Sequence, residues 1–392
     1  MLPFAGITII SLEQAVAAPF ATRQLADLGA RVIKIERPGA GDFARGYDET
    51  VRGMSSYFVW LNRSKESLTL DLKHPEARRI IHQLLEGADA FVQNLAPGAA
   101  ERLGLDAEAL TSRYPRLIIC DISGYGSTGP YRDKKAYDLL VQCETGLVSV
   151  TGTTETPAKV GISAADIAAG MYAFTGILTA LYQRERTGKG TALELSLFEA
   201  LGEWMSSPAY FTAYGGIPPP RTGASHATIA PYGPFHAGDG KQVNLGIQNE
   251  REWTQFCSIV LERPEVATDP RFASNVQRVA NREALHAVID AAFSQLTVEQ
   301  VIARLDQAQI ANARLNSIPE FWEHPQLAAR QRWREVGSPV GSLKALLPPV
   351  TMRDVEPRMD PIPTVGEQTA QILRSLGYND EQIRRLRAED AI

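Results

Sequence analysis

Five short runs of β-branched and aliphatic residues punctuate the first third of the chain: ITIISL (7–12), RVIKIE (31–36), SLTLDL (67–72), AFVQNL (90–95) and LIICDIS (117–123). Most are separated by stretches with helical character, about 18–28, 75–87 and 106–112. Strand–helix–strand repetition leaves few options, because parallel neighbours need a crossover between them and that crossover covers a sheet face. The reading is an α/β fold with a parallel sheet. In such sheets, ligands bind beyond the carboxyl ends of the strands, where the loops gather. Here those loops are IERPGAGD, NRSKES, NLAPGAAERLGL and GYGSTGPYRDKKAYD.

Two long helices are predicted next. Residues 163–184 carry an apolar stripe at Ile167, Met171, Phe174, Leu178 and Leu181, and the opposite face is small: Ala168, Ala169, Gly170, Ala173 and Gly176. A stripe at 3–4 spacing is the helical signature, and the small face invites close approach by another backbone. Ser163 reads as the N-cap and Asp166 as its partner in a capping-box arrangement. A strand, ALELSL, and a second helix, FEALGEWMSSPAYFTAY, follow the basic RERTGKG turn.

GGIPPPRTG ends this pattern, since three prolines cannot continue a helix. The expected organisation is a large domain over 1–205, a linker over 206–224, a small α+β domain over 225–318, and a linker and tail over 319–392 that returns to the large domain. Within the small domain, HATIAPYGPFHAGDGKQVNLGI reads as a hairpin around GDG.

Several function classes are disfavoured. A net charge of −5 argues against a nucleic-acid surface. There is no charge-free apolar run of about 18 residues, so no membrane span is expected. MLPFAGITIISLEQ lacks a basic n-region and is not read as a secretory signal. Cys120, Cys143 and Cys257 are odd in number and widely spaced, and read as reduced thiols of a cytoplasmic protein, with Cys120 and Cys143 in the core. The histidines show no ligand spacing, so no metal site is expected. There is also no GxGxxG between strand and helix and no Walker lysine. Basic residues do recur at the strand ends: Arg37, Arg45, Arg63, Lys65, Lys73 and Arg102. They form either a solvated rim or a seat for phosphates.

The ordered set LGARVIKIERPGAGDFARG (28–46), LNRSKESLTLDLKHPEA (61–77), VQNLAPGAAERLGL (92–105), GYGSTGP (124–130), AYDLLVQCETGLVSVTG (136–152) and TGKG (187–190) resembles the class III CoA-transferases. SHATIAPYGPF (225–235) is most similar to the subgroup that uses succinyl-CoA and dicarboxylic acids such as itaconate, malate and hydroxymethylglutarate. The resemblance implies a Rossmann-like large domain, a smaller α+β domain and an interlocked homodimer. It implies no tightly bound cofactor: coenzyme A thioesters and a small carboxylic acid are substrates. By motif position CoA lies against Val16 and Ala17, pairs with Arg37, runs along Leu70, Leu72 and Lys73, touches Asn94, Leu95 and Ala96, meets Arg102, and passes Gly124 and Tyr125. Ser123 stands where relatives often carry a lysine. Arg45, Arg221, His226 and Tyr232 are candidates for the acyl group or a second carboxylate.

Within that resemblance, the nucleophile is a carboxylate a few residues after the TG that closes a strand-like VSV, and counting from Thr151–Gly152 gives Glu155, where most relatives have Asp. Asp138 is the alternative. The chemistry needs an ionised carboxylate, partly desolvated and beside backbone N–H groups, to carry acyl groups as an anhydride and CoA as a thioester. An α-methylacyl-CoA racemase-like enzyme would need a proton-shuttling imidazole, and Tyr137 stands at that position. A CoA-binding protein without activity is the third reading.

Overall fold

The computed structural model describes residues 1–392, which divide into two units. The first takes Met1–Thr145, Val160–Met205 and Gln326–Ile392; the second takes Gly146–Lys159 and Ser206–Pro325.

The first unit is built on six parallel strands: β1 (Thr8–Leu12), β2 (Arg31–Glu36), β3 (Lys65–Thr69), β4 (Ala90–Gln93), β5 (Ile118–Ser123) and β6 (Ala192–Ser196), in the order 3-2-1-4-5-6. The order reverses between β1 and β4, which makes their carboxyl ends the switch point where this topology opens a crevice. β3 begins and ends earlier than the SLTLDL run: Lys65 and Glu66 pair with β2, and the chain leaves the sheet after Thr69.

One sheet face carries an apolar core of Ile10, Ile33, Leu68, Ile80, Leu84, Phe91 and Ile119. Helix α2 (Pro75–Glu86) covers it, together with the tail helices Thr369–Ser375 and Asp380–Ala388, whose Ile372, Leu373, Ile383 and Leu386 join that core. A hairpin of Trp333–Val336 with Leu343–Leu346, which the sequence pattern does not reveal, packs Val336 against Phe58 and Ile362.

On the other face lie α1 (Ala17–Asp27) and the 24-residue α4 (Ala164–Thr187); between them in the chain comes α3 (Asp138–Glu144). α4 is long and apolar enough to cross a membrane by length and composition, but half of its apolar window is buried, and its small face is where α1 sits. Ala165, Ala168, Ala169 and Ala173 are fully buried. A Cβ on Gly170 would lie 2.7 Å from the Ala17 carbonyl oxygen and 2.9 Å from the Phe20 ring, so the two helices touch backbone to backbone. Both run from the carboxyl edge of the sheet to the opposite edge. α1 leaves β1 and ends before β2, and near the far end of α4 Arg184 reaches Asp89 and the Arg116 carbonyl, just ahead of β4 and β5.

Three expectations change. VSV (148–150) belongs to a helical turn, Leu147–Val150, entered through Gly146 at φ 81°, because three residues are too few for alternation to decide between strand and helix. FEALGEWMSSPAYFTAY forms two helices, Leu197–Trp204 and Ser206–Gly215; Pro208, lacking an N–H, fits only the first turn of a new helix. Cys143 is exposed, since α3 turns Val141 and Gln142 inward instead.

The second unit has an antiparallel sheet of β7 (Tyr232–His236), β8 (Gln242–Gly246) and β9 (Ala311–Arg314), of which the first two are the predicted hairpin. Its core gathers Phe235, Val243, Leu245, Trp253, Phe256, Phe272, Ile289, Phe293, Val301 and Leu305.

The α1–α4 contact yields a stability test. Gly170→Ala should lower stability by about 1–3 kcal/mol despite the gain in helix propensity, because the methyl meets backbone that cannot step aside. Gly176→Ala, whose methyl would meet only the flexible Leu193 side chain at 3.4 Å, should be neutral or stabilising in the same thermal melts.

Candidate active site

The carboxyl edge of β1–β3 opens a cleft of about 390 Å³, lined by Leu12, Glu13, Gln14, Ile35, Glu36, Arg37, Pro38, Gly41, Asp42, Leu70, Asp71, Leu72, Lys73 and Leu95. Of the residues assigned to CoA, it brings together Arg37, Leu70, Leu72, Lys73 and Leu95. Val16 and Ala17 are buried at the turn into α1, and Ala96 and Arg102 are exposed beyond β4. The Arg102 guanidinium folds back to within 2.9 Å of where a Cβ on Gly98 would be, and Gly98 is at φ 71°. Gly124 is pressed against Ala136, which leaves no room for a Cβ, and Tyr125 is wedged against Tyr131 and Phe198. Ser123 caps this loop by accepting the Gly126 N–H at 2.8 Å.

Under the cleft lies a buried charge network. Lys65 donates to Glu13 at 2.6 Å, Lys34 donates to Asp42 at 2.7 Å and reaches Glu13 at 3.4 Å, and Thr22 donates to Glu13 at 2.5 Å. Burial pushes Glu13 upward, but Lys65, Lys34 and the hydrogen bonds outweigh it and hold the carboxyl below its ordinary value. Burial drags Lys65 down to about 8 against the pull of Glu13. Arg45 forms two 2.8 Å bonds with Glu36 and stacks 3.6 Å over the Phe58 ring. Burial raises Glu36, but the Arg45 bonds and the Lys34 charge win and bring it to about 2. Half of the anticipated basic rim is therefore committed internally: Arg45 to Glu36, Lys65 to Glu13 and Arg63 to Asp27. Arg37, Lys73 and Arg102 remain exposed. Arg45, considered for a second carboxylate, already has one.

The two carboxylates proposed from sequence sit in contrasting surroundings. Glu155 is at the exposed tip of a tight turn in the second unit, where Thr153 N–H donates to the Thr156 carbonyl at 3.0 Å and Gly152 bridges Pro157. Arg221 fastens that turn from below, donating to the Ser149, Thr153 and Thr154 carbonyls at 2.9–3.2 Å. Its role there is to hold backbone. His226 stacks on Tyr232 at 5.2 Å and accepts the Thr228 N–H, which ties both to the hairpin.

Asp138, by contrast, stands at the carboxyl edge of the first unit. One of its oxygens accepts the N–H groups of Ala165 (2.8 Å) and Asp166 (3.2 Å), and the other accepts from Gln142 at 2.6 Å. It caps α4 from outside, in place of Ser163, which makes no capping bond. The anticipated capping box is absent, and this frees the Asp166 side chain. Asp166 is half-buried; burial, and then the Asp138 charge, push it up to about 7. Tyr47 senses it too: burial, Asp42 and Asp166 together raise the phenol to about 12. A strained carboxylate of this kind marks a candidate functional group. Sequence reasoning had assigned Asp166 to helix capping. Its signal was the Asp138–Asp166 pairing, which only the fold reveals.

Comparison with known proteins bears on the chain as a whole. A profile of CoA-transferase family III matches residues 4–369. The chain is 38% identical to an acetyl-CoA:oxalate CoA-transferase of Acetobacter aceti, over 84% of each chain. It is 33% identical to a succinyl-CoA:glutarate CoA-transferase of Mus musculus, over 98% of this chain and 89% of that one. The crystal structure of a CAIB/BAIF family protein from Brucella suis superposes with a TM-score of 0.82 at 32% identity, covering 95% of this chain and 99% of that one.

The raised Asp166 carboxyl carries a stability signature. Folded Asp166 keeps its proton to about pH 7, whereas the unfolded side chain releases it near the ordinary 3.8. The folded state therefore binds more protons in that window, and stability falls as pH rises from about 4 to 7. Asp166→Asn should match the wild type near pH 4 and exceed it by on the order of 4 kcal/mol above pH 7. Denaturant unfolding across that range reads the difference; a gap that does not grow with pH contradicts it.

Proposed function

From the premise that this chain belongs to CoA-transferase family III, we propose that it moves CoA from succinyl-CoA to a C4–C6 dicarboxylate, with Asp166 as the covalent carboxylate. The observation that carries the proposal is the Asp138–Asp166 pair. Asp138 binds the first amides of α4, and Asp166 beside it is desolvated and raised to about 7. A carboxylate of that basicity is more nucleophilic than a solvated one, yet largely ionised above neutrality. Glu155, on an exposed turn, lacks the desolvation that the chemistry calls for.

An Asp166 oxygen attacks the donor thioester carbonyl and expels CoA thiolate, leaving a mixed anhydride. The thiolate attacks the Asp166 acyl carbon and releases the donor as a free acid, leaving an aspartyl-CoA thioester. The acceptor carboxylate attacks that thioester and expels CoA thiolate, leaving an anhydride between Asp166 and the acceptor; the thiolate then attacks the acceptor's acyl carbon, releasing new acyl-CoA and free Asp166. Arg37, Lys73 and Arg102 supply exposed cations for CoA phosphates. The dicarboxylate assignment rests on the SHATIAPYGPF motif and on the acceptors named for the oxalate and glutarate relatives. Itaconate, malate and citramalate are the acceptors to try first. A racemase reading lacks a proton-shuttling imidazole at Tyr137.

Asp166→Asn should cut transfer by roughly 1,000-fold or more while free CoA still binds; Glu155→Gln should stay within about threefold of wild type. Hydroxylamine added during turnover should mark Asp166 by peptide mass spectrometry. In an acceptor panel, dicarboxylates should outcompete formate and carnitine. An active Asp166→Asn variant refutes the nucleophile, and a win for monocarboxylates refutes the substrate class.

The interlocked homodimer belongs to the same proposal. It is supported by the Ser206–Gly215 helix, which is apolar along SSPAYFTAYG yet buries no residue, with Tyr214 at 84% exposure. Threaded chains cannot separate without opening, so mass photometry at nanomolar concentration should show only twice the 42.9 kDa chain mass; a folded monomer there contradicts threading.

A further inference from the structure

Asn94 was assigned to CoA by motif position, but its amide is already engaged. Nδ2 donates to the Gln14 carbonyl at 2.8 Å, and Oδ1 accepts the Gln14 N–H at 2.9 Å. Both main-chain groups of one residue are thus held by one side chain, across the β1–β4 switch point. The next residue, Ala15, has φ 61°, a left-handed conformation that an alanine adopts only when its surroundings impose it. On its other side, Ala15 donates its N–H to Asp42 Oδ1 at 3.1 Å, and Asp42 Oδ2 accepts from buried Lys34. Glu13, one residue before Gln14, is fixed by Lys65, Lys34 and Thr22.

This clamped turn feeds directly into α1. The start of α1 sets where Ala17 meets Gly170 of α4. Asp166 lies one helical turn before Gly170 on the same face of α4. Because the two helices run in the same direction, that places Asp166 about 6 Å nearer the carboxyl edge, level with the turn at Gln14–Val16. A change in the turn therefore reaches the wall beside Asp166 without passing through CoA.

We infer that Asn94 is a positioning residue: by holding both main-chain groups of Gln14 it locks Ala15 in the left-handed conformation and fixes the start of α1 against the Asp166 turn of α4. The inference deepens the nucleophile reading and rests on it. Released from the clamp, Ala15 relaxes toward an ordinary backbone conformation and carries the first turn of α1 with it. Glycine tolerates the left-handed conformation freely, so Ala15→Gly supplies a rescue that a lost CoA contact cannot receive.

The experiment is a double-mutant cycle of Asn94→Ala with Ala15→Gly, read as kcat, KM for acyl-CoA and Kd for free CoA by calorimetry. Asn94→Ala should lower kcat by about 10- to 100-fold, the range for a displacement of about 1 Å at a reacting centre. Ala15→Gly alone should leave kcat within about twofold, and the double variant should recover at least about fivefold over Asn94→Ala. Asn94→Asp, which keeps the acceptor and loses the donor, repeats the comparison if the alanine variant folds poorly. A double variant no faster than the single one, or a rise in CoA Kd with kcat unchanged, overturns the inference. Asp166→Asn, run alongside, keeps the two failures apart. If it still transfers CoA, the nucleophile reading falls on that result alone, while the Ala15→Gly rescue still reports on the clamp.

Discussion

The carboxyl edge of the sheet is held by charges buried beneath it. Glu13 at the end of β1, Lys34 in β2 and Lys65 at the start of β3 meet in one fully enclosed cluster, with Asp42 and Thr22 completing it. Removing one partner from such a cluster strands a charge in a poor solvent, which is far costlier than the cluster's net worth. The cluster thereby dictates where three strands stand relative to one another just under the cleft. It also withdraws Lys65, one of the cations near the strand ends, from the cleft. The same economy applies to Glu36 and Arg45, which stitch the β2 loop closed over Phe58.

How much of this was legible in the chain depends on whether a feature is local. The strands RVIKIE and LIICDIS and the helices over 75–87 and 163–184 announce themselves through their periods, and the six-stranded parallel sheet follows. The small face of α4 was readable as a close-approach surface, and Gly170 bears that out at the Ala17 carbonyl. Short elements were not: VSV is too brief for alternation to mean anything, and β9 (ANAR) has no apolar pattern, because it is an edge strand in which only Asn312 is even half-covered.

The candidate site was less legible, for a physical reason. A sequence shows that Ser163 and Asp166 have capping spacing, but not that another residue already occupies the cap. Asp138 takes that duty from 27 residues upstream of Ala165. Once it does, the properties of Asp166 invert: instead of accepting amides and settling low, it is raised by burial and then by the like charge of Asp138. The basic rim misleads in the same way, since Arg45 and Lys65 look available until their partners are in place.

The contact at Gly170 has a consequence for how finely a carboxylate can be placed. Between most packed helices, interlocking side chains act as compliant spacers, each able to switch rotamer and absorb a small displacement. Between α1 and α4, the Ala17 carbonyl and the Phe20 ring meet the bare main chain of Gly170, and α4 offers no side chain there to act as a spacer. The separation is set by hard atomic radii, so the position of Asp166 one turn away is specified as a bearing surface specifies an axle, with play limited to fractions of an ångström.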